Sequence, residues 1–82
     1  MLQSDLISQI NQDLALELDM EEVTITPDAD VWETLHLDSM RALQIIIVVK
    51  RNCGIIIQPR HLQRITTFQS LYDFIEEKMQ EA

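Results

Sequence analysis

The chain has 82 residues, 46% of them hydrophobic, and a formal net charge of −8. This length predicts one small domain over 1–82, and a single cysteine excludes both an internal disulfide and a cysteine-rich zinc site. The acidity disfavours nonspecific nucleic-acid binding. No stretch approaches the ~20 apolar residues of a membrane span, and the first residues lack the basic segment of a secretory signal. We therefore expect a cytoplasmic protein.

Charge is unevenly distributed along the chain. Residues 1–40 contain ten acidic and no basic residues, residues 41–64 contain five basic and no acidic residues, and residues 65–82 contain four acidic residues and one lysine. A basic middle segment can steer an acidic partner, or it can be an ordinary solvated surface. Charge alone leaves both interpretations open.

The first predicted helix covers residues 3–18. Apolar residues recur there every four positions, which is the spacing of one helix face. They are Leu6, Ile10, Leu14 and Leu18, with Ile7 beside them. Ser4 is the predicted N-cap.

A polar, acidic segment from 19 to 38 predicts a long loop. It contains Pro27 and a β-branched run at 23–26, and both are unfavourable inside a helix. A loop of this length in a small domain is usually functional or tightly packed. Five apolar residues are expected to pin it to the core: Val23, Ile25, Val31, Trp32 and Leu35.

The second helix is predicted over 39–53. Its β-branched run at 45–49 would also suit a strand. A helix is favoured by its length, by a capping Asp38 or Ser39 at the start, and by Gly54 at the position that ends many helices. The predicted apolar stripe comprises Met40, Leu43, Ile46, Ile47 and Val49.

Two more helices complete the predicted fold. A short one at 59–64 has Pro59 in its first turn. The last begins at a capping box with Thr66 as the N-cap and Gln69 as its N3 partner. Its predicted stripe comprises Phe68, Leu71, Tyr72, Ile75 and Met79. The prediction is an all-α four-helix bundle with three long helices, a short third helix and a long loop between the first two.

Three segments together resemble the acyl carrier protein family. They are LHLDSM at 35–40, GIIIQPRHL at 54–62 and RITTFQSLYDFIEEK at 64–78. The resemblance covers nearly the whole chain, and the spacing from the Asp-Ser pair to the Ile-Thr-Thr segment matches the family without a gap. It implies a carrier of acyl groups in fatty-acid-like, lipid or secondary-metabolite synthesis.

The resemblance also implies that Ser39 carries 4′-phosphopantetheine, derived from coenzyme A, through a phosphodiester. A phosphate at the first turn of a helix faces unpaired backbone N–H groups and the positive end of the helix dipole. Without the resemblance, Ser39 would be interpreted as a plain N-cap. Asp38 and Met40 are the implied recognition residues for the phosphopantetheinyl transferase, and Asp38 can also cap the helix.

The chain departs from the family at positions that face partners. His36 stands where members usually have Gly, a residue that permits unusual backbone angles. In fatty-acid carriers the second helix is usually acidic and meets Arg and Lys of the partner. Because reversed charge repels wrong partners, we expect a specialised carrier whose loading ligase or synthase has an acidic or apolar docking surface. The expected partner-facing residues are His36, Arg41, Gln44, Ile47, Lys50, Arg51 and Arg60.

The core is expected to open and shelter the acyl chain. The predicted lining residues are Leu43, Ile46, Val49, Ile65, Leu71 and Ile75. Cys53 is expected to be a small buried hydrophobe. His36 and His61 show no catalytic pattern, and no metal site or nucleophile–base set is recognisable, so the chain is expected to be a substrate of enzymes and not an enzyme.

Two other functions remain open. D-alanyl carriers also use Asp-Ser-Met, so an aminoacyl or peptidyl carrier is possible, although the ITTFQSLYDFI ending favours an acyl carrier. A degenerate carrier fold could instead serve as a protein-interaction module, which absence of modification would favour. In each case we expect a monomer that neither binds nucleic acid nor inserts into a membrane.

Overall fold

The computed structural model describes residues 3–21 and 25–81 as a bundle of α-helices. The long helices are α1 (Ser4–Glu17), α3 (Ser39–Cys53) and α5 (Phe68–Glu81), and the one-turn helices are α2 (Val31–Thr34) and α4 (Pro59–Leu62). Within this part of the chain there is no strand, and an isolated antiparallel bridge pairs Asp30 with Thr67. The predicted all-α bundle is confirmed.

The helix boundaries around α3 and α4 follow their capping residues. The Asp38 carboxylate accepts a hydrogen bond from the Arg41 backbone N–H at 2.8 Å, so Asp38 is the N-cap of α3. Gly54 ends α3 with a left-handed φ of 72°, which glycine adopts without steric cost. Pro59 occupies the first turn of α4, where its missing N–H is not needed. These predictions are confirmed.

Two predicted caps are wrong. Ser4 is the first residue of α1, and Gln3 precedes it without a side-chain cap. At α5 the cap is Thr67 instead of Thr66, since Thr67 Oγ1 accepts from the Ser70 N–H at 3.1 Å. Ser70 Oγ in return accepts from the Thr67 N–H at 3.0 Å. The capping box therefore lies one residue later than predicted, and the Gln69 side chain donates to Asp73 instead.

The predicted loop between the first two long helices contains α2. Asp30 caps this turn by accepting a hydrogen bond from the Glu33 N–H at 2.9 Å. The loop is also tied to the start of α5, because Val31 donates to the Thr66 carbonyl at 2.7 Å and Phe68 donates to the Ala29 carbonyl at 3.1 Å. The loop is therefore a packed part of the bundle.

The core lies between the three long helices and is closed by the loop and α4. Ile25, Val31 and Leu35 are buried and Trp32 packs against them, as predicted for the loop, whereas Val23 lies outside the described residues. The buried hydrophobic residues are Ile10, Leu14, Ala15, Leu18, Ile25, Val31, Leu35, Ile45, Val48, Val49, Ile57, Leu62, Ile65, Phe68, Leu71, Tyr72 and Ile75.

The predicted stripe of α3 is wrong at three positions. Met40 is 73% exposed, Leu43 54% and Ile47 55%, while Ile45 and Val48 are buried in their place. Val49 is buried as predicted. Because α3 has apolar residues on two faces, periodicity alone does not separate the buried face from the exposed one. Met79, predicted in the stripe of α5, is also exposed.

Candidate functional site

Ser39 lies at the exposed start of α3. It is the first residue of the helix, and its side chain is exposed. The first N–H groups of a helix have no carbonyl one turn earlier to bind, and they form the positive end of its dipole. Asp38 satisfies the N–H of Arg41. The remaining first-turn N–H groups favour an anionic group at the Ser39 hydroxyl.

A largely apolar groove begins beside Ser39. Its volume is about 390 Å³, and it is lined by Trp32, Asp38, Ser39, Ala42, Leu43, Ile46, Pro59, Leu62 and Gln63. The polar residues include Ser39 and Asp38 at the start of α3, whereas Trp32, Ile46 and Leu62 supply apolar wall. The indole Nε1 of Trp32 donates to the Ile65 carbonyl at 2.9 Å, which fixes this wall. The groove suits an apolar chain that starts at Ser39.

The predicted lining residues divide between the groove and the core. Leu43 and Ile46 line the groove, and Leu43 is too exposed to belong to the core. The other four, Val49, Ile65, Leu71 and Ile75, are buried in the core. Sequence reasoning missed five lining residues, which are Trp32, Ala42, Pro59, Leu62 and Gln63. The sequence signal that α4 could line the groove was Pro59, which fixes where this short helix begins.

His36 has a left-handed backbone just before the site. Its φ is 50°, and α2 ends there in two hydrogen bonds that are typical of a Schellman motif. His36 donates to the Glu33 carbonyl at 3.3 Å, and Leu37 donates to the Trp32 carbonyl at 3.0 Å. Glycine is the favoured residue at this position of the motif, so His36 occupies a strained position that glycine would fill without cost.

Two of the predicted partner-facing residues are bound within the chain. Arg51 donates to both carboxylate oxygens of Asp13, from Nε at 2.9 Å and from Nη2 at 2.6 Å. It also pairs with Glu17 at 2.8 Å. Arg41 donates from Nη1 to the Leu35 carbonyl at 3.1 Å. Both residues therefore have partners within the chain, and their role in facing a partner enzyme stays a prediction.

The other predicted partner-facing residues lie at the surface. Ile47 and Lys50 are exposed on α3, Arg60 is exposed on α4, and His36 is exposed before the site. Gln44 is half-buried. Arg64 is also exposed and lines the same hollow as Arg60.

His61 lies in a second cleft, between α4 and α5. The cleft has a volume of about 460 Å³ and includes the side chains of Phe74 and Asp73. The His61 ring lies 5.1 Å from the Phe74 ring, and His61 Nδ1 is buried without a hydrogen-bond partner. Desolvation, reinforced by nearby Arg60, Lys78 and Arg64, lowers the pKa of His61. The cleft thus disfavours the charged form of His61.

Cys53 is half-buried near the end of α3. Burial raises the pKa of its thiol, so the reactive thiolate is disfavoured there. Within residues 3–21 and 25–81 no cluster of side chains could hold a metal ion. None of the helices in that same part of the chain is long and apolar enough to cross a membrane.

The sequence is similar to those of known carrier proteins. Residues 8–75 match the family model described as "Phosphopantetheine attachment site". The chain is 31% identical over 71 residues to the polyketide-8 synthase acyl carrier protein 2 of Streptomyces avermitilis, covering 87% of this chain and 82% of that protein. It is 25% identical over 79 residues to an acyl carrier protein of Thermosynechococcus vestitus, covering 96% of this chain and 98% of that protein.

These matches first define a class, the phosphopantetheine-binding proteins. Within it, the chain belongs to the acyl carrier protein family. Its function is that of an acyl carrier, and its cofactor is covalent 4′-phosphopantetheine, whose terminal thiol holds the acyl group as a thioester. The residues present fit this group, because an exposed hydroxyl at a helix start opens into an apolar groove. Family membership implies a phosphopantetheinyl transferase and synthase enzymes as partners.

Proposed function

We propose that Ser39 is the attachment residue and that the groove beside it holds the acyl chain. The observation that carries this proposal is the position of the exposed Ser39 hydroxyl, at the first residue of α3 and at the edge of a groove with an apolar wall. Ser39 would anchor the phosphodiester, and the first turn of α3 would stabilise its negative charge. Asp38 and Met40 flank Ser39, and the phosphopantetheinyl transferase would recognise them.

The modification is a phosphoryl-group transfer to Ser39. The Ser39 Oγ attacks the phosphorus of coenzyme A that bears the pantetheine, and a new P–O bond forms. The pyrophosphate bond of coenzyme A breaks, adenosine 3′,5′-bisphosphate leaves, and the hydroxyl proton passes to a base of the transferase. The exposed position of Ser39 supports this role, because an incoming active site must reach the hydroxyl.

The chain would act as a substrate of its partner enzymes and not as an enzyme. Among the described residues, no hydrogen bond joins Ser39 to a histidine or a carboxylate, so nothing in that region activates it as a nucleophile. We propose further that the chain is a single, monomeric carrier domain that works in the cytoplasm with separate loading and processing enzymes.

The lining of the groove supports an acyl cargo over an aminoacyl one. Its wall is formed by Trp32, Ile46, Leu62 and their apolar neighbours, and the charged group among the lining residues is Asp38 beside Ser39. An ammonium group would lose hydration deeper in the groove without a partner, which is costly. One relative is named as a carrier of a polyketide synthase. We therefore favour polyketide-type secondary-metabolite synthesis as the pathway class.

The free cations would select the partner enzymes. Lys50, Arg60 and Arg64 are exposed, and within the described part of the chain they form no ion pair. An apolar strip formed by Met40, Leu43 and Ile47 lies on α3 near Lys50. A loading ligase or synthase with an apolar contact flanked by acidic side chains would complement this surface.

Intact mass after incubation with coenzyme A and a broad-specificity phosphopantetheinyl transferase tests the attachment. We expect one phosphopantetheine increment on the wild type and none on Ser39→Ala. Ser8→Ala is the matched control, since Ser8 is an exposed serine of α1. A persisting increment in Ser39→Ala would place the arm elsewhere. No increment on the wild type would favour an unmodified interaction module.

A further inference from the structure

Arg41 connects the end of α2 with the start of α3 across Ser39. Its backbone N–H donates to Asp38 Oδ1 at 2.8 Å, within the first turn of α3. Its Nη1 donates to the carbonyl of Leu35 at 3.1 Å, and Leu35 is the C-cap residue of α2. The Arg41 side chain is half-buried. One residue therefore closes the segment 35–41 that contains Ser39.

The segment 35–41 contains a strained turn that other contacts must stabilise. His36 has a left-handed φ of 50°, and a non-glycine residue keeps such a conformation only when its surroundings impose it. The two backbone bonds that end α2 run through His36 and Leu37. The Leu35 carbonyl is also at the negative end of α2, where a cation is favourable. Arg41 thus adds a charge-assisted bond at the point where the strained turn begins.

We propose that Arg41 is a positioning residue for the modification of Ser39. Its bond to Leu35 holds the left-handed turn at His36, and this turn sets where α3 begins and how Ser39 is presented. The proposal rests on the proposed attachment at Ser39. It gives Arg41 a role inside its own loop, in contrast to the partner-facing role that its charge and position in the sequence indicated.

The rate of transfer to Ser39 tests the positioning role. Arg41→Met keeps the aliphatic stem and removes the donor, and Arg41→Lys keeps a charge and a donor. Lys50→Met is the matched control, because it removes one charge from the exposed surface of the same helix. The measurement is the initial rate of phosphopantetheine incorporation from coenzyme A by a broad-specificity transferase, at several carrier concentrations and two salt concentrations.

We expect Arg41→Met to raise KM by about fivefold with kcat nearly unchanged, because only the fraction of molecules with the turn formed is competent to bind. Arg41→Lys should recover part of this loss. The loss should be the same at both salt concentrations, whereas a docking charge would show a salt-dependent effect like that of Lys50→Met. Unfolding curves for each variant confirm that it is folded at the assay temperature.

A second measurement tests the link to His36. The denaturation midpoint is measured for the wild type, Arg41→Met, His36→Gly and the double variant. Because glycine adopts the left-handed turn without strain, the shift caused by Arg41→Met should fall to about half or less in the His36→Gly background. His36→Gly should also reverse part of the increase in KM that Arg41→Met causes. Equal shifts in both backgrounds would overturn the proposal.

The experiments distinguish a failure of the positioning role of Arg41 from a failure of the attachment at Ser39. If the wild type gains phosphopantetheine at Ser39 and Arg41→Met does so with unchanged KM and kcat, Arg41 has no positioning role and Ser39 remains the attachment residue. If the wild type is not modified at Ser39, the attachment itself is wrong, and the role of Arg41 in modification falls with it.

Discussion

Arg51 on α3 donates hydrogen bonds to both carboxylate oxygens of Asp13 on α1, at 2.9 and 2.6 Å. Asn52 donates to the same carboxylate at 2.9 Å. The Arg51 hydrogen bonds, helped by Asn52, hold the pKa of Asp13 below its usual value of 3.8. Asp13 thus contributes stability that is present above its usual pKa and is lost as the pH falls through the lowered value of the folded state.

We predict that Asp13→Asn lowers the free energy of unfolding at neutral pH by about 1 kcal/mol, because it removes the charge from a fork-shaped ion pair. The difference from the wild type should shrink as the pH falls below the usual pKa of the carboxylate. Urea denaturation over a series of pH values measures both effects. Asp28→Asn is the control, since Asp28 is exposed, and an equal loss there would remove the ion pair as the cause.

His61 should make the stability depend on pH in a higher range. Its pKa is lowered from 6.5 by desolvation and by Arg60, Lys78 and Arg64, although the carboxylates of Asp73 and Glu77 also line the cleft. Because this pKa is lowered, the contribution of His61 to stability is complete above pH 6.5. It is lost as the pH falls, since the unfolded chain binds a proton on this histidine at a higher pH than the folded chain does.

We therefore expect His61→Gln to lose less stability than the wild type between neutral pH and pH about 5, since the substituted residue does not titrate. Thermal unfolding midpoints across this range provide the measurement. His36→Gln is the matched histidine control. A pH profile for His61→Gln that is parallel to that of the wild type would show that the cleft does not disfavour the charged histidine.

The free cations should govern the choice of partner. The resemblance implies that partners of fatty-acid carriers present Arg and Lys to an acidic helix, so Lys50 and Arg60 should repel a transferase with such a surface. We predict that Lys50→Glu and Arg60→Glu each raise kcat/KM for such a transferase by about threefold to tenfold at low salt, and that the gain fades at high salt. Arg51→Glu is the contrasting variant, because it should lower stability through Asp13. Unchanged kinetics for Lys50→Glu and Arg60→Glu would contradict a charge-selected partner.

The groove should respond to the length of the cargo. A broad-specificity transferase can attach the arm already carrying an acetyl or an octanoyl group, from the corresponding acyl-coenzyme A. We expect the octanoyl form to have the higher melting temperature and to shift the fluorescence of Trp32, because burying apolar chain in the groove is favourable. Ile46→Asp should abolish the difference, and Leu16→Asp, at an exposed apolar residue of α1, should retain it. Identical behaviour of the two acyl forms would place the cargo outside the groove.

The local features of the fold could be predicted from the sequence. Asp38, Gly54 and Pro59 act on backbone within one helical turn, and each signal was correct. The cap of α5 was misplaced by one residue because two threonines stand side by side and Ser70 supplied the partner expected from Gln69. The buried face of α3 was misassigned at three positions because both of its faces are apolar.

The environment of the basic residues could not be predicted. The partners of Arg51 lie 38 and 34 positions away in sequence, and the partner of Arg41 is a backbone carbonyl that carries no sequence signal. The identity of the attachment residue remains a prediction that depends on the resemblance and on the position of Ser39. The family and its cofactor were predicted correctly.

The hydrogen bond from Trp32 to the Ile65 carbonyl spans 33 positions, and those that tie the loop to Thr66 and Phe68 span a similar distance. One wall of the groove beside Ser39 is therefore built from the last third of the chain. During synthesis, Ser39 emerges from the ribosome well before the residues that complete its surroundings. A nascent chain that ends before Ile65 exposes the serine without a finished groove, so the groove could hold cargo only after the segment that contains Ile65 has emerged.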